Sequence, residues 1–307
     1  MASSTTGNAI SSRYLRPGTL QRLKPLDLVA RELVEGMRVG VHKSPLKGFS
    51  TEFAQHRPYV PGDTLKHIDW RVYGRSGRYY IKLFEAETNF ESMLLLDASS
   101  SMHFAGGGLE GMSKLEYAKY CAAALAYLVV DQRDAVGLGV FDSALRTYIP
   151  PSSSQAAIRQ IAGELEGVGH EPKTDVAGIL HEFARRLKRR GVVILFSDLL
   201  GQEAALAKGL EHLRHRGHNV IVFHVMDAHE LSFPFTGNVR FRDLEGPDQL
   251  LADPRRIRAA YMKELEAFLD RVRLTCERAK VDYVLADTSR PIEALLSGYL
   301  VGRAEGR

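Results

Sequence analysis

From residue 93 onward, short apolar runs alternate with longer amphipathic stretches. The apolar runs predict buried strands at 93–97, 135–141, 192–198, 220–225 and 283–287, with a shorter strand near 146–149. The amphipathic stretches predict helices at about 114–131, 154–166, 176–190, 202–216 and 254–280, with a last helix from Pro291. Because apolar strands separated by helices pair in parallel with helices on both faces, we expect an α/β fold with a doubly wound, mostly parallel sheet.

The residues before 93 follow a different pattern, which divides the chain into three parts. Residues 1–24 are rich in polar and small residues without periodicity, and we expect a flexible N-terminus. Residues 25–92 begin with an amphipathic helix, over about 24–40, and continue as a block of short strands and turns. We therefore expect the α/β domain at 93–307 to carry an N-terminal helix plus a short β-rich extension.

Composition limits the cellular location and the classes of binding partner that we expect. The chain has 307 residues and a formal net charge of +4, with basic and acidic residues interleaved. The basic run 185–190 is interpreted as a solvated helix end, so no nucleic-acid partner is expected. Cys121 and Cys276 lie in helical segments and are expected to be reduced and unpaired. With no signal peptide and no membrane-spanning run, we expect a soluble, cytoplasmic protein.

Polar side chains follow two of the predicted strands. Asp97, Ser99 and Ser101 come after strand 93–97, and Asp198 ends strand 192–198. Parallel strands joined by right-handed crossovers bring their carboxyl ends to one edge of a sheet, where ligands bind. Thr174 lies in a polar loop that could reach the same edge. These oxygen donors favour Mg²⁺ first, with Mn²⁺ or Ca²⁺ as alternatives. The competing interpretation is a polar turn after the strand, with Thr174 as a helix N-cap.

Other motifs give weaker hypotheses. The glycine-rich stretch 106–111 lacks the Gly-Lys-Ser/Thr of a phosphate-binding loop, so a flexible loop is the favoured interpretation. Candidate zinc ligands are spaced three residues apart at His212, His215 and His218, but no nearby Cys or carboxylate completes a ligand set. A Mg²⁺- or Mn²⁺-dependent hydrolase could use Asp97 and Asp198, although the sequence shows no general base beside them.

Asp97-x-Ser99-x-Ser101, followed by Thr174 and Asp198, resembles the metal-ion-dependent adhesion site of von Willebrand factor A domains. The resemblance implies a doubly wound sheet with a divalent ion at its edge. It also implies that Ser99 and Ser101 bind the ion directly, that Thr174 and Asp198 bind it directly or through water, and that Asp97 stands alongside. A partner's carboxylate would take the remaining coordination position.

The upstream block narrows the resemblance to the domain-of-unknown-function 58 family, whose members accompany MoxR-type AAA+ ATPases. The residues that carry this resemblance are Gly48–Phe53, Arg57–Tyr59, Gly62-Asp63, Ile68–Arg71 and Lys82–Glu85. The charged and aromatic residues of this block form either a structural cluster or a partner-binding face, since Trp, Tyr and Arg often anchor interfaces.

We therefore expect a non-catalytic, metal-dependent protein-binding module. The resemblance implies a MoxR-type ATPase as its partner, with a role in assembling, activating or remodelling a client complex. Two alternatives stay open. One is the metal-dependent hydrolase with Asp97 and Asp198, and the other is a scaffold in which the metal site is vestigial.

Overall fold

The chain is described by a computed structural model over residues 52–58, 69–85, 91–169, 175–237, 239–244 and 249–304. The fold divides into two compact units, of which the smaller lies within residues 46–90 and the larger begins its described part at Glu91. The flexible N-terminus predicted at 1–24 and the helix predicted over about 24–40 lie outside the described residues.

Strands and helices are numbered here along the described chain. The strands are β1 Glu52–Pro58, β2 Tyr80–Glu85, β3 Glu91–Asp97, β4 Ala135–Phe141, β5 Leu145–Ser152, β6 Gly191–Ser197, β7 Asn219–Met226, β8 Val239–Arg242, β9 Gln249–Ala252 and β10 Asp282–Asp287. The helices are α1 Trp70–Ser76, α2 Lys114–Asp131, α3 Gln155–Gly167, α4 Val176–Arg186, α5 Glu203–His215, α6 Ala228–Ser232, α7 Pro254–Arg278 and α8 Ile292–Ala304. Two short 3₁₀ turns, Ser100–His103 and Leu109–Gly111, lie between β3 and α2.

Six strands form the central sheet of the larger unit, in the spatial order β10-β7-β6-β3-β4-β5. Neighbouring strands run parallel, except that β5 runs antiparallel to β4. In chain order this is the 3-2-1-4-5-6 arrangement of doubly wound sheets, whose strand order reverses at the two central strands. The predicted α/β, doubly wound, mostly parallel sheet is therefore confirmed, and its switch point lies between β3 and β6.

Both faces of the central strands are covered by helices, which explains why their sequences are apolar throughout. All seven residues of β6 are buried, as are six of the seven in β3. Met93 and Leu95 belong to a core that they share with α4, α5 and α7. Helix α2 crosses the other face and packs against α3 and α8. Each leucine buried in this way stabilises the fold by about 1.5–3 kcal/mol relative to an exposed one.

Helix α2 begins and ends where the sequence predicts. The backbone N–H of Glu116 donates to Ser113 Oγ at 3.1 Å, and the N–H of Ser113 donates to Glu116 Oε2 at 2.9 Å. This reciprocal pair is a capping box, which satisfies two backbone donors at the helix start. It fixes Lys114 as the first helical residue, with its side chain fully buried.

The smaller unit contains an antiparallel pair, β1 and β2, and the short helix α1. Asp69 precedes α1 and accepts the backbone N–H of Val72 at 3.2 Å, while its own N–H donates to the carbonyl of Tyr80 at 2.8 Å. Asp69 is buried, whereas the next residue, Trp70, is 62% exposed. Within this block, Asp69 therefore has a structural role and Trp70 presents its indole on the surface.

Several short elements were not predicted. Helix α6 and the hairpin of β8 and β9 have only four or five residues per element, too few for a periodic pattern to stand out. An aromatic cluster organises this region, in which the rings of Phe233 and Tyr261 lie 4.4 Å apart. Helix α4 was predicted to continue to 190 but ends at Arg186, because the next residue, Leu187, is extended and buried.

Both cysteines lie in helices of the larger unit. Cys121 and Cys276 are free and buried, and burial raises the pKa of Cys276 to about 12. In the described part of the chain, no helix has both the length and the apolar character that a membrane crossing requires.

Candidate functional site at the carboxyl edge of the sheet

The polar residues singled out in the sequence lie at the switch point of the sheet. Asp97 is the last residue of β3, and Asp198 directly follows β6. Ser99 and Ser101 lie in the turn after β3, the second of them inside a 3₁₀ turn. Asp97, Ser99 and Asp198 are fully buried, and Ser101 nearly so. Ligands of doubly wound sheets bind in the crevice outside the carboxyl ends at this point, so the position itself suits a binding site.

The two serine hydroxyls face each other. Ser99 Oγ and Ser101 Oγ lie 3.1 Å apart, and either can donate to the other. The backbone N–H of Ser99 also donates to Asp97 Oδ1 at 2.9 Å, which bends the chain back onto the end of its own strand. Ser99 is therefore held beside the Asp97 carboxylate, with the Ser101 hydroxyl next to its own.

Asp97 is held firmly in place. Its Oδ2 accepts a hydrogen bond from Ser197 Oγ at 2.6 Å, across the ends of β3 and β6. Burial, together with the negative charge of Asp198, raises the pKa of Asp97 to about 7, and the hydrogen bonds from Ser197 and Ser99 partly oppose this shift. The repulsion between two buried carboxylates is relieved by protonation of one of them or by a positive charge beside them.

That charge is supplied by Lys114, which the sequence analysis missed. Lys114 Nζ lies 2.7 Å from Asp198 Oδ2 and 2.8 Å from Glu230 Oε1. The Lys114 and Asp198 side chains are both fully buried. Burial alone would lower the pKa of Lys114, but the two carboxylates outweigh it and raise the pKa above its usual range. The lysine is therefore an ammonium ion, seated at the edge where a metal ion was expected.

Glu230 links this ion pair to the strand next to β6. It belongs to a capping box at the start of α6, where its Oε2 accepts the backbone N–H of Asp227 at 2.9 Å. Asp227, which directly follows β7, in turn accepts hydrogen bonds from the backbone N–H groups of Gly106 and Gly107 at 3.1 and 2.8 Å. A chain of polar contacts thus runs from Asp198 through Lys114, Glu230 and Asp227 to the glycine-rich segment.

The glycine-rich segment is held against Asp227 by these backbone hydrogen bonds. A side chain at position 107 would place its Cβ 2.6 Å from the ring of His229, and one at position 108 would place it 2.1 Å from the carbonyl oxygen of Met112. Glycine is required because the backbone approaches Asp227 and its neighbours closely. The Asp227 carboxylate accepts hydrogen bonds from the backbone N–H groups that an exposed loop would offer to a bound anion.

His224 fixes the backbone of Asp198 from beneath. Its Nε2 lies 2.9 Å from the Asp198 carbonyl oxygen, and its Nδ1 lies 2.9 Å from the hydroxyl of Tyr283. Burial lowers the pKa of His224 to about 4, so the ring is neutral near pH 7. A neutral ring with these neighbours donates from Nε2 to the carbonyl and accepts from Tyr283.

Thr174, the fifth predicted ligand, lies outside the described residues. The next residue, Asp175, is the N-cap of α4 and accepts the backbone N–H of Gly178 at 2.9 Å. Asp175 therefore fills the N-cap position of this helix. The N–H of Asp175 also donates to the carbonyl of Asp142 at 3.0 Å, beside a cleft of about 310 Å³ that is lined in part by Ala98 and Arg146.

The spacing of the two hydroxyl oxygens fits a hydrogen bond and is also compatible with one edge of a cation's coordination shell. Adjacent ligands of octahedral Mg²⁺, each about 2.1 Å from the ion, lie about 3.0 Å apart. The 3.1 Å between Ser99 Oγ and Ser101 Oγ matches such an edge. No group of three or more His, Cys, Asp or Glu side chains with metal-binding geometry occurs among the described residues, so any ion here depends on hydroxyl oxygens. Asp198 is the poor fit, because its Oδ2 is already paired with Lys114.

The histidines that invited zinc do not assemble such a site either. His212 on α5 instead meets His181 on α4, with the two Nδ1 atoms 2.9 Å apart.

Residues 55–268 match the family described as Protein of unknown function DUF58. The chain belongs to this family. Two relatives are uncharacterized proteins, one from Mycobacterium bovis and one from Mycobacterium tuberculosis. Each is 25% identical to this chain over 232 residues, covering 75% of it and 72% of the relative.

Solved structures similar to this DUF58 chain include BatB from Bacteroides thetaiotaomicron, with 21% identity, a TM-score of 0.47 and coverage of 71% of this chain and 100% of that one. An aerotolerance-related membrane protein from Bacteroides fragilis has 18% identity, the same TM-score and the same coverage. The SpRpn10 VWA domain has 13% identity and a TM-score of 0.40, covering 70% of this chain and 94% of its own. The sheet order, rather than these similarities, establishes the fold.

Lys114 and Glu230 are the site residues that sequence reasoning missed. A lysine at the first helical position is unusual, because the positive end of the helix dipole disfavours a cation there. Asp227 and Glu230 have the spacing of a capping box, which marks a helix start after strand 220–225. Both signals were present in the sequence, but neither indicates that Lys114 contacts both Asp198 and Glu230.

Proposed function

We propose that this protein is a non-catalytic binding module that captures an acidic side chain of another protein at the carboxyl edge of its sheet. The proposal rests on one observation, the buried Ser99 and Ser101 hydroxyls set 3.1 Å apart at the switch point. Ser99 and Ser101 would hold a divalent cation, Mg²⁺ by preference, with Asp97 and Asp198 beside it. The family resemblance adds Thr174 to this set.

The donor set suits capture rather than tight sequestration. Serine hydroxyls are neutral ligands, and both oxygens of Asp97 already accept hydrogen bonds from Ser99 and Ser197. When bound, the ion would offer an open coordination position to a carboxylate oxygen. The protein's part is to hold the two hydroxyls rigidly and to keep water from the buried side of the site.

The partner that we propose is a MoxR-type AAA+ ATPase, acting with this protein to assemble, activate or remodel a client complex. The support is the resemblance of the upstream block to the domain-of-unknown-function 58 family, whose members accompany such ATPases. The exposed indole of Trp70 and the cleft beside Ala98 are surfaces that a protein partner could contact.

The contacts of Asp97 favour binding over hydrolysis. A carboxylate nucleophile needs a free oxygen facing the substrate, whereas Asp97 uses Oδ1 and Oδ2 within the protein. Asp198 is likewise committed to Lys114. We therefore propose binding rather than the hydrolase that uses Asp97 and Asp198.

Capture of a purified MoxR-type ATPase by the immobilised full-length chain tests this function. We expect capture in millimolar Mg²⁺, loss in excess chelator, and loss on combining Ser99→Ala with Ser101→Ala. Ser153→Ala, at an exposed serine, is the matched control and should capture like the wild type. Equal capture by the double variant, or hydrolysis of phosphate esters that disappears with Asp97→Asn, would overturn the proposal.

A further inference from the structure

We propose that Lys114 is a tethered cation that competes with the divalent ion for Asp198, so that the lysine sets how tightly the edge of the sheet holds metal. This inference rests on the proposed function, because it concerns regulation of the same site. In this role, Lys114 occupies the Asp198 carboxylate, which would otherwise be available to the metal ion.

The position of the ammonium is the first argument. Lys114 Nζ lies 2.7 Å from Asp198 Oδ2, while Asp198 Oδ1 accepts the backbone N–H of Leu200 at 3.3 Å. Both oxygens of Asp198 are thus engaged within the protein. An ion bound directly by Asp198 would have to share this carboxylate with a positive charge that cannot diffuse away.

The charge balance is the second argument. Lys114 is paired with two carboxylates, Asp198 and Glu230, and its own side chain is fully buried. Without the ammonium, two acidic side chains would face the same small volume. Such a carboxylate pair, at the same edge of the sheet as the Ser99 and Ser101 hydroxyls, would be an oxygen-rich site for a hard divalent cation.

The location of the lysine is the third argument. A buried ammonium at the first position of α2 opposes the helix dipole and must be desolvated, both of which disfavour it. An apolar residue of similar length could fill the volume without either penalty. The structure keeps a charge here, and the one task that needs a charge is neutralising Asp198 and Glu230.

Direct metal titration tests the competition. Calorimetry with MgCl₂ or MnCl₂ alone would compare the full-length wild type with Lys114→Met. We expect Lys114→Met to bind the ion at least tenfold more tightly, and Asp198→Asn in that background to abolish the gain. In the wild type, Asp198→Asn should change metal affinity by less than about threefold, because the lysine already holds that carboxylate.

A charge-matched variant guards against unfolding. Lys114→Met combined with Glu230→Gln removes one positive and one negative charge, and circular dichroism checks that it is folded. Equal metal affinity in the wild type and in this folded variant would overturn the inference. Metal binding that appears only after Lys114 is replaced would support the inference and overturn the metal-dependent function of the wild type. Wild-type affinity that is unaffected by Ser99→Ala with Ser101→Ala would overturn the proposed function alone.

Discussion

The ammonium of Lys114 and the carboxylate of Asp198 form a fully buried ion pair, with Nζ 2.7 Å from Oδ2. The two residues are 84 positions apart in the chain. They join the first turn of α2 to the end of β6, on either side of the point where the strand order reverses. Their contact therefore ties a helix to the sheet at the candidate site, and its contribution to folding can be measured.

Replacing Lys114 by Met is expected to lower the free energy of unfolding by about 3–5 kcal/mol, because it leaves Asp198 and Glu230 buried without their partner. Adding Asp198→Asn should recover about 1–3 kcal/mol, since the two sites are coupled. Urea unfolding of the single and double variants gives both values. Lys188→Met, at an exposed lysine, is the control and should change stability by less than about 0.5 kcal/mol. Strictly additive effects would contradict the ion pair.

The neutral state of His224 predicts acid sensitivity. Burial lowers its pKa from 6.5 to about 4, so between these values the unfolded chain binds a proton that the folded chain does not. The stability contributed by the neutral ring is present above pH 6.5 and is lost as the pH falls towards 4. The shift corresponds to about 3 kcal/mol.

Unfolding free energies measured from pH 7.5 to 4.5 check this, because His224→Gln should flatten the dependence on pH by about that amount. His215→Gln, at an exposed histidine, should leave the slope as it is. Parallel curves for wild type and His224→Gln would show that the ring titrates equally in both states.

Gly108 and Gly163 make a matched pair of substitutions. A Cβ at position 108 would lie 2.1 Å from the carbonyl oxygen of Met112, whereas at position 163 it meets nothing within 4 Å. Gly108→Ala should lower the melting temperature, with a loss of about 1–3 kcal/mol or more. Gly163→Ala, inside α3, should raise stability by about 0.5–1 kcal/mol through helix propensity. Equal melting temperatures for the two variants would contradict the close approach at position 108.

Asp227 is expected to control the order of the segment between β3 and α2. Asp227→Ala removes the acceptor for the backbone amides of Gly106, Gly107 and His229. Limited proteolysis followed by mass spectrometry should show faster cleavage within residues 104–112. The control is Asp175→Ala, which removes the exposed N-cap of α4 at a cost of about 1 kcal/mol without affecting cleavage at 104–112. Cleavage at 104–112 that is unchanged in Asp227→Ala would contradict this role.

The sheet was predictable because its physical signals are local. The strand at 135–141 and the helix at 114–131 begin and end as predicted, since an apolar run and a capping box each leave a mark within a few residues. The meeting of Asp97 and Asp198 at one edge followed from a general rule of parallel sheets. Helix α6 escaped prediction because it is only five residues long.

The charge balance of the site was not predictable in the same way. Whether Lys114 points inward depends on how α2 rotates against the sheet, and this is decided by packing along the whole helix. The meeting of Lys114 with Glu230 joins positions 116 residues apart. A sequence pattern shows that each side chain is charged, but not that three of them share one buried volume.

The hydrogen bond from Ser197 Oγ to Asp97 Oδ2 has a consequence for how the two central strands align. Leu96 of β3 pairs with Phe196 of β6, and both strands are apolar on both faces. Burial of apolar side chains alone would tolerate sliding one strand along the other by a residue, because no polar face would be turned inward. Sliding would separate Ser197 from Asp97 and deprive the buried carboxylate of this hydrogen bond. The hydrogen bond at the strand ends thus fixes a pairing register that burial of apolar side chains alone would leave variable.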